Sequence, residues 1–243
     1  MKTRLAAIVL FASFACGMET EGDVLTQDMG TDSSGLKQSA PQPEVVRIPI
    51  AIVNPQANAG LDPSGVGYPG WSHGDWGRGY FETYIDYDET LNSNVFNIVT
   101  YNRETTGRGE YTMLQEVRLE SMSAAAQLAL SEGYPIECRA EQNVWHAVTE
   151  EQGNLEMQVY AFNQGGDTID WCRKVLEVQN RWQTTTCGPI ATPGIQSIYL
   201  IFSCRSSIHC KIDKVKCDVV KRAGFERFKP NGVVALPFDL SQM

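Results

Sequence analysis

The chain has 243 residues and a mass of 27.0 kDa, which suits one large domain or two small ones with a sizeable core. Hydrophobic residues are 42% and charged residues 20%, so a wholly disordered chain is excluded. The net charge of −9 excludes a Lys/Arg sheet built for nucleic-acid phosphates.

Lys2 and Arg4 precede an apolar run of eleven residues, Leu5 to Ala15, and small residues follow. This is the pattern of a secretory signal peptide over residues 1–15, cleaved after Ala15 or after Gly17. No other stretch is long and apolar enough to span a bilayer. Cys16 stands where a bacterial lipoprotein carries its lipid, although Ser13 replaces the usual Leu three residues before it. The expected location is therefore extracellular or at the cell surface, with Cys16 as a candidate lipid anchor. Residues 16–44 hold six acids from Glu19 to Glu44, a single lysine, no aromatic residue and a closing Pro41-Gln42-Pro43, which reads as a self-repelling, disordered linker.

From Val45 the pattern changes to short alternating runs broken by Gly, Pro, Asn and Asp, the signature of an all-β fold. Val45 to Val53 places Val46, Ile48, Ile50 and Ile52 on one face, and Pro49 marks an edge strand. Further strands are expected at Phe81–Asp86, Val95–Tyr101, Tyr111–Leu119, Pro135–Ala140, Leu155–Phe162, Arg173–Val178, Gln196–Cys204 and Lys211–Cys217. One helix is expected over Ser121–Glu132, capped by Ser121 or Ser123 and ended by Gly133. This many short strands predict a β-sandwich or jelly roll over residues 45–220, followed by a C-terminal tail at 221–243.

Of the seven cysteines, the six beyond Cys16 all lie in the second half. An even number in an exported chain predicts disulfides, with fifteen possible connectivities. The Cys204-x5-Cys210 spacing fits a clip across a hairpin, and Cys172 with Cys187 can bridge another. A zinc site is disfavoured, because no Cys-x2-Cys pair exists and His73, His146 and His209 are scattered.

No Gly-x-Ser-x-Gly elbow, phosphate loop or His-Glu-x-x-His motif is present. Acids such as Asp75, Glu82, Asp86, Asp88, Glu89, Glu104 and Glu110 are plentiful, but nothing pairs two of them for glycosidic hydrolysis. The expectation is a non-enzyme. The segment Gly65 to Tyr80 carries Tyr68, Trp71, Trp76 and Tyr80 among many glycines. Those rings either stack on the apolar faces of sugars or cover an open end of the sandwich.

The order of motifs resembles the family 6 carbohydrate-binding modules. Gly77-Arg78-Gly79-Tyr80 leading to Tyr84-Ile85-Asp86 is similar to that family's Gly-Gly-x-Tyr-Arg turn and Val-Asp-Ile-Glu strand. Phe96-Asn97-Ile98-Val99, Gly109-Glu110-Tyr111, Tyr134 to Ala140, Asn180-Arg181-Trp182-Gln183-Thr184, Gly194 to Phe202 and Lys211-Ile212-Asp213-Lys214 follow in the family's order, over residues 46–218. The resemblance implies a jelly roll that binds a polysaccharide or oligosaccharide without catalysis. Phe96 and Trp182 would sandwich a sugar ring, and Lys211 would stand in for the family's Asn. An ammonium donates to hydroxyls but cannot accept from them, and it favours an acidic sugar. The resemblance also implies a structural Ca²⁺ site. Asp213 keeps one of its ligands, while Ile52-Val53-Asn54-Pro55 lacks the Glu that supplies another. The alternatives are a disulfide-stabilised protein-interaction or envelope module with a degenerate sugar site, and a small glycoside-cleaving enzyme.

Overall fold

The computed structural model describes residues 44–61, 63, 67–75, 80–101, 110–146, 153–190, 193–205 and 208–222. The expected signal peptide, Cys16, nearly all of the expected linker and most of the C-terminal tail lie outside these residues.

The described chain forms two antiparallel sheets. Its strands are β1 (Val45–Ile50), β2 (Ser72–Asp75), β3 (Tyr80–Asp88), β4 (Ser93–Tyr101), β5 (Glu110–Arg118), β6 (Ile136–His146), β7 (Asn154–Asn163), β8 (Thr168–Glu177), β9 (Gln183–Ile190), β10 (Ile195–Arg205) and β11 (Ile208–Arg222). One sheet runs β3-β4-β11-β6-β9, and the other runs β2-β5-β10-β7-β8. β11 is long enough to serve two neighbours on one side. His209 to Ile212 pair with β4, and Cys217 to Arg222 pair with β1. A register shift between Asp213 and Lys216, with Lys214 at φ 49°, separates the two halves. β1 pairs only with β11 among the described strands, so Pro49 sits on an edge where its missing N–H costs little.

The core fills the space between the sheets. On β10, Ile198, Leu200, Phe202 and Cys204 point inward, opposite Ala161, Val159, Met157 and Leu155 of β7. Phe96, Ile98, Cys210 and Ile212 close the core from the other sheet. The Gly-rich segment covers this core: Tyr68 and Trp71 are buried and meet Phe96 edge-on, with ring centroids 4.6 and 5.9 Å away. The Tyr68 hydroxyl donates to the Asn97 carbonyl at 2.9 Å, so its polar atom is satisfied inside. Buried Gln115 ties the segment down. Its amide donates to the Val53 and Gly70 carbonyls and accepts from the Val53 N–H. Gly70 adopts φ +84°, and a Cβ there would stand 2.3 Å from Val53, so a side chain has no room.

The helix α1 spans Ala124–Ser131, with the Ser123 hydroxyl accepting from the Ala126 N–H and Gly133 at φ +83° just past the end. Three disulfides complete the fold. Cys204–Cys210 clips β10 to β11, and Cys172–Cys187 joins the edges of the two sheets. Cys138–Cys217 links neighbouring strands β6 and β11. Cys138 lies between two cysteines of its own sheet, opposite Cys217 on one side and Cys187 on the other.

β2 is absent from the sequence reading, and β9 enters it only through the resemblance over Asn180–Thr184. β2 (Ser-His-Gly-Asp) has no apolar alternation and exists because it pairs with β5. β9 contains Gly188-Pro189, both of which weaken a strand, and an edge position next to β6 alone tolerates them.

Candidate functional site

The expected site residues separate into core and surface. Phe96 is a correction. At 0% exposure it is a core residue packed on Tyr68 and Trp71, so it offers no face to a sugar. The side chains of β4 alternate. Phe96 and Ile98 point inward, which sends Asn97 outward beside Lys211.

Trp182 and Lys211 do come together, on the outer face of the β3-β4-β11-β6-β9 sheet. Trp182 precedes β9 and is half-buried. A turn places it, in which the Gln179 and Asn180 N–H groups both donate to the Val144 carbonyl. Its indole lies near the Asp88 carboxylate, close enough to help hold that group ionised. Lys211 Nζ lies 2.7 Å from Asp86 and 3.4 Å from Asp88, bridging two acids two residues apart on β3. Asn97 also donates to Asp86 at 3.4 Å.

A second indole, unpredicted from sequence, lies beside them. Trp145 on β6 stacks on His209 of β11, with centroids 4.8 Å apart and planes at 14°. Lys211 Nζ also approaches the Trp145 ring, 5.2 Å from its centroid. His209 and Lys211 are two residues apart on one strand and therefore share a face. The signal for Trp145 is the alternation of Glu141, Asn143 and Trp145 against buried Gln142 and Val144, visible only if β6 is extended to His146.

The charges here are strongly coupled. For Asp88, burial raises the pKa. The Lys211 hydrogen bond and charge, with the Leu91 and Trp182 N–H groups, outweigh it and hold the carboxyl below its ordinary value. For Lys211, burial lowers the pKa, and the hydrogen bonds and charges of Asp86 and Asp88 outweigh it and hold the ammonium above its ordinary value. Burial, then the Lys211 charge, pushes His209 down against Glu82, so the imidazole is neutral at pH 7. The Asp88 contribution to stability is present above the ordinary aspartate pKa and is lost as pH falls through its depressed folded value. Acid titration of the melting temperature is expected to show this loss below about pH 4, with a smaller loss in Lys211→Met.

Asp213 lies at the end of the same face, fully buried, and neither carboxylate oxygen has a well-formed hydrogen bond. Burial raises its pKa, and the Lys214 N–H and Ser93 hydroxyl offset this only in part. An orphaned buried carboxylate is what a Ca²⁺ ligand looks like. Ca²⁺ takes six or more oxygens, and no group of three His, Cys, Asp or Glu able to hold a metal exists among the described residues. The Asn54 side-chain oxygen already accepts from the Ala59 N–H. A raised folded pKa means that the contribution of Asp213 to stability is fully present below the ordinary aspartate pKa and is lost as pH rises. Asp213→Asn is therefore expected to raise the melting temperature at pH 7 and to have no effect near pH 3. A lower melting temperature in the variant, or one lowered by EDTA in the native chain, would restore the Ca²⁺ site.

The outer face of the other sheet is a second surface. Glu156 is sealed by Arg173 and Arg205, and Tyr160, Phe162 and Ile201 form a buried strip flanked by Trp171 and Tyr199. At one end a cleft of about 430 Å³ is lined by Glu116, Arg118, Phe162, Asn163 and Tyr199 among others.

The fold defines the chain as an antiparallel β-sandwich with three disulfides and an aromatic, ion-paired sheet face. No protein-family model matches the chain, so membership of family 6 stays a resemblance, and no curated protein matches it. Among solved structures it is similar to the enzymatically active domain of bacteriophage CBA120 tailspike protein 4, with 14% identity over 68% of this chain and a TM-score of 0.42. This chain spans about a fifth of that one, 22%. It is also similar to the family 11 carbohydrate-binding module of a Clostridium thermocellum cellulosomal cellulase (10% identity, 70% of this chain, 94% of that chain, TM-score 0.41). The CBM22-1 xylan-binding domain from Paenibacillus barcinonensis is comparable (12% identity, 76% and 100% coverage, TM-score 0.41). At this level the likenesses decide nothing about what this chain binds.

Proposed function

We propose that this chain is an exported, non-catalytic glycan-binding domain whose site is the outer face built around Trp145, Trp182 and Lys211. The observation that carries the reading is the pair of half-buried indoles, each beside polar partners on a single face. Trp182 lies beside Asp88, and Trp145 stacks on His209 and meets Lys211. Flat rings fixed in this way stack on the apolar face of a pyranose, while Asp86, Asp88 and Lys211 accept from and donate to its hydroxyls. The three disulfides favour an oxidising compartment and hence export, either secreted or with Cys16 as the candidate lipid anchor.

The non-catalytic half rests on the acids. Glycoside cleavage needs an open carboxyl kept protonated near neutral pH. Asp88 is held ionised, Asp86 is spent on Lys211 and Asn97, and Asp213 is sealed from solvent.

Affinity electrophoresis through soluble polysaccharides tests the reading. Trp145→Ala and Trp182→Ala are each expected to weaken binding about tenfold or more, with melting temperatures showing that both variants fold. The cleft beside Phe162 and Tyr199 supports a second location for the same activity. Binding that survives both Trp variants and falls in Tyr199→Ala would move the site there. No binding to any glycan would favour the protein-interaction or envelope module.

A further inference from the structure

We infer that the Trp145–Trp182 face takes glycans free of carboxylate, sulfate and phosphate groups, and that Asp86 and Asp88 are its specificity-determining residues against polyanions. The inference rests on the glycan-binding reading and narrows it, reversing the expectation that Lys211 favours an acidic sugar.

A lone ammonium between two indoles would attract a uronate or a sulfate. Lys211 is not alone. Asp86 and Asp88 both lie within ion-pair distance of Nζ, so its charge is more than matched before any ligand arrives. Two further acids stand on the same outer face. Glu82 on β3 is close enough to act on the titration of His209, and Glu141 on β6 acts on Asp213, where the Lys214 charge opposes it. His209 adds no positive charge at pH 7, because burial and Lys211 keep it neutral. At Lys211 the balance is therefore one cation against two carboxylates, on a chain whose net charge is −9. A polyanion laid beside Lys211 would set its charges against Asp86 and Asp88, which is costly at an interface.

The same arrangement suits a neutral sugar. Asp86 and Asp88 accept hydrogen bonds and Lys211 donates them, all beside the Trp145 and Trp182 rings. Vicinal hydroxyls, each both donor and acceptor, need this mixture. The two acids thus do two jobs: they hold the Lys211 ammonium in place, and they repel anionic chains.

Affinity electrophoresis of the folded domain tests this, with mixed-linkage β-glucan and xylan as neutral polymers and polygalacturonate and dextran sulfate as polyanions. The native chain is expected to be retarded by a neutral polymer and by neither polyanion, even at low salt. Asp86→Asn and Asp88→Asn, made singly and together, are expected to gain about tenfold or more in affinity for polygalacturonate as Lys211 is released. That gain is expected to disappear in 0.5 M salt, where charges are screened within about 4 Å. The single variants keep the result readable if the double one does not fold. Retardation of the native chain by polygalacturonate as strong as by β-glucan or xylan, or no gain in folded Asp→Asn variants, overturns the charge rule and leaves the glycan site standing. No retardation by any polymer overturns the glycan-binding reading itself, and the charge rule with it.

Discussion

Phe96→Ala is expected to destabilise the domain by about 3–5 kcal/mol, the cost of removing a fully buried aromatic ring and leaving a cavity. Phe96 is sealed between the sheets, and its ring touches both Tyr68 and Trp71. Those two residues hold the Gly-rich segment over the core, through the Tyr68 hydroxyl on the Asn97 carbonyl and the Trp71 indole on the Asn54 carbonyl. Loss of the ring therefore loosens the cover as well as the core. For a domain of this size the melting temperature is expected to fall by roughly 10 °C, measured by urea and thermal unfolding. Glycan affinity at temperatures where the variant stays folded is expected to be unchanged. A loss below about 1 kcal/mol accompanied by lost affinity would return Phe96 to the binding site.

Reduction of the disulfides is expected to unfold the chain. In the loop-entropy account a crosslink stabilises in proportion to the logarithm of the loop that it closes. Cys138–Cys217 spans 79 residues and contributes about 4 kcal/mol. Cys172–Cys187 spans 15 and contributes about 3 kcal/mol. Together these approach the whole stability of an ordinary domain, roughly 5–15 kcal/mol. Denaturation with and without reductant measures the sum. The Cys138→Ala, Cys217→Ala pair is expected to give the larger single loss, because it closes the longer loop. A melting curve unmoved by reductant would mean that the core carries the fold alone.

The sandwich was legible because its strands obey the period of two with few exceptions. Leu155, Met157, Val159 and Ala161 alternate with Glu156 and Gln158, and the inward set is the apolar one. The outward set is buried as well, which alternation cannot signal. Glu156 is sealed by arginines from β8 and β10, a tertiary event that joins residues 17 and 49 positions apart. The Cys204–Cys210 and Cys172–Cys187 pairings were legible from short spacing, but each joins strands of different sheets and not the arms of a hairpin, whereas Cys138–Cys217 emerges only when β6 and β11 are neighbours. The site was legible in part. Trp182 and Lys211, singled out from the family resemblance, lie on one face of the sheet. Phe96 belongs to the opposite face of its strand, and a motif match carries residue type without carrying strand phase. Trp145 and His209 were invisible for another reason: their stacking joins β6 to β11 across 64 positions.

The row formed by Cys187, Cys138 and Cys217 across β9, β6 and β11 bears on how the chain matures. A growing sheet by itself presents Cys138 with two equivalent suitors, one per flank. Proximity inside that layer cannot choose between them. The choice is made from outside, when the second layer arrives and Cys172 engages Cys187. Correct oxidation is thereby conditional on the two layers having met. Mismatched pairing at Cys138 strands Cys172 on one layer and Cys217 on the other, and thiol–disulfide exchange has to undo it before both native bonds can form.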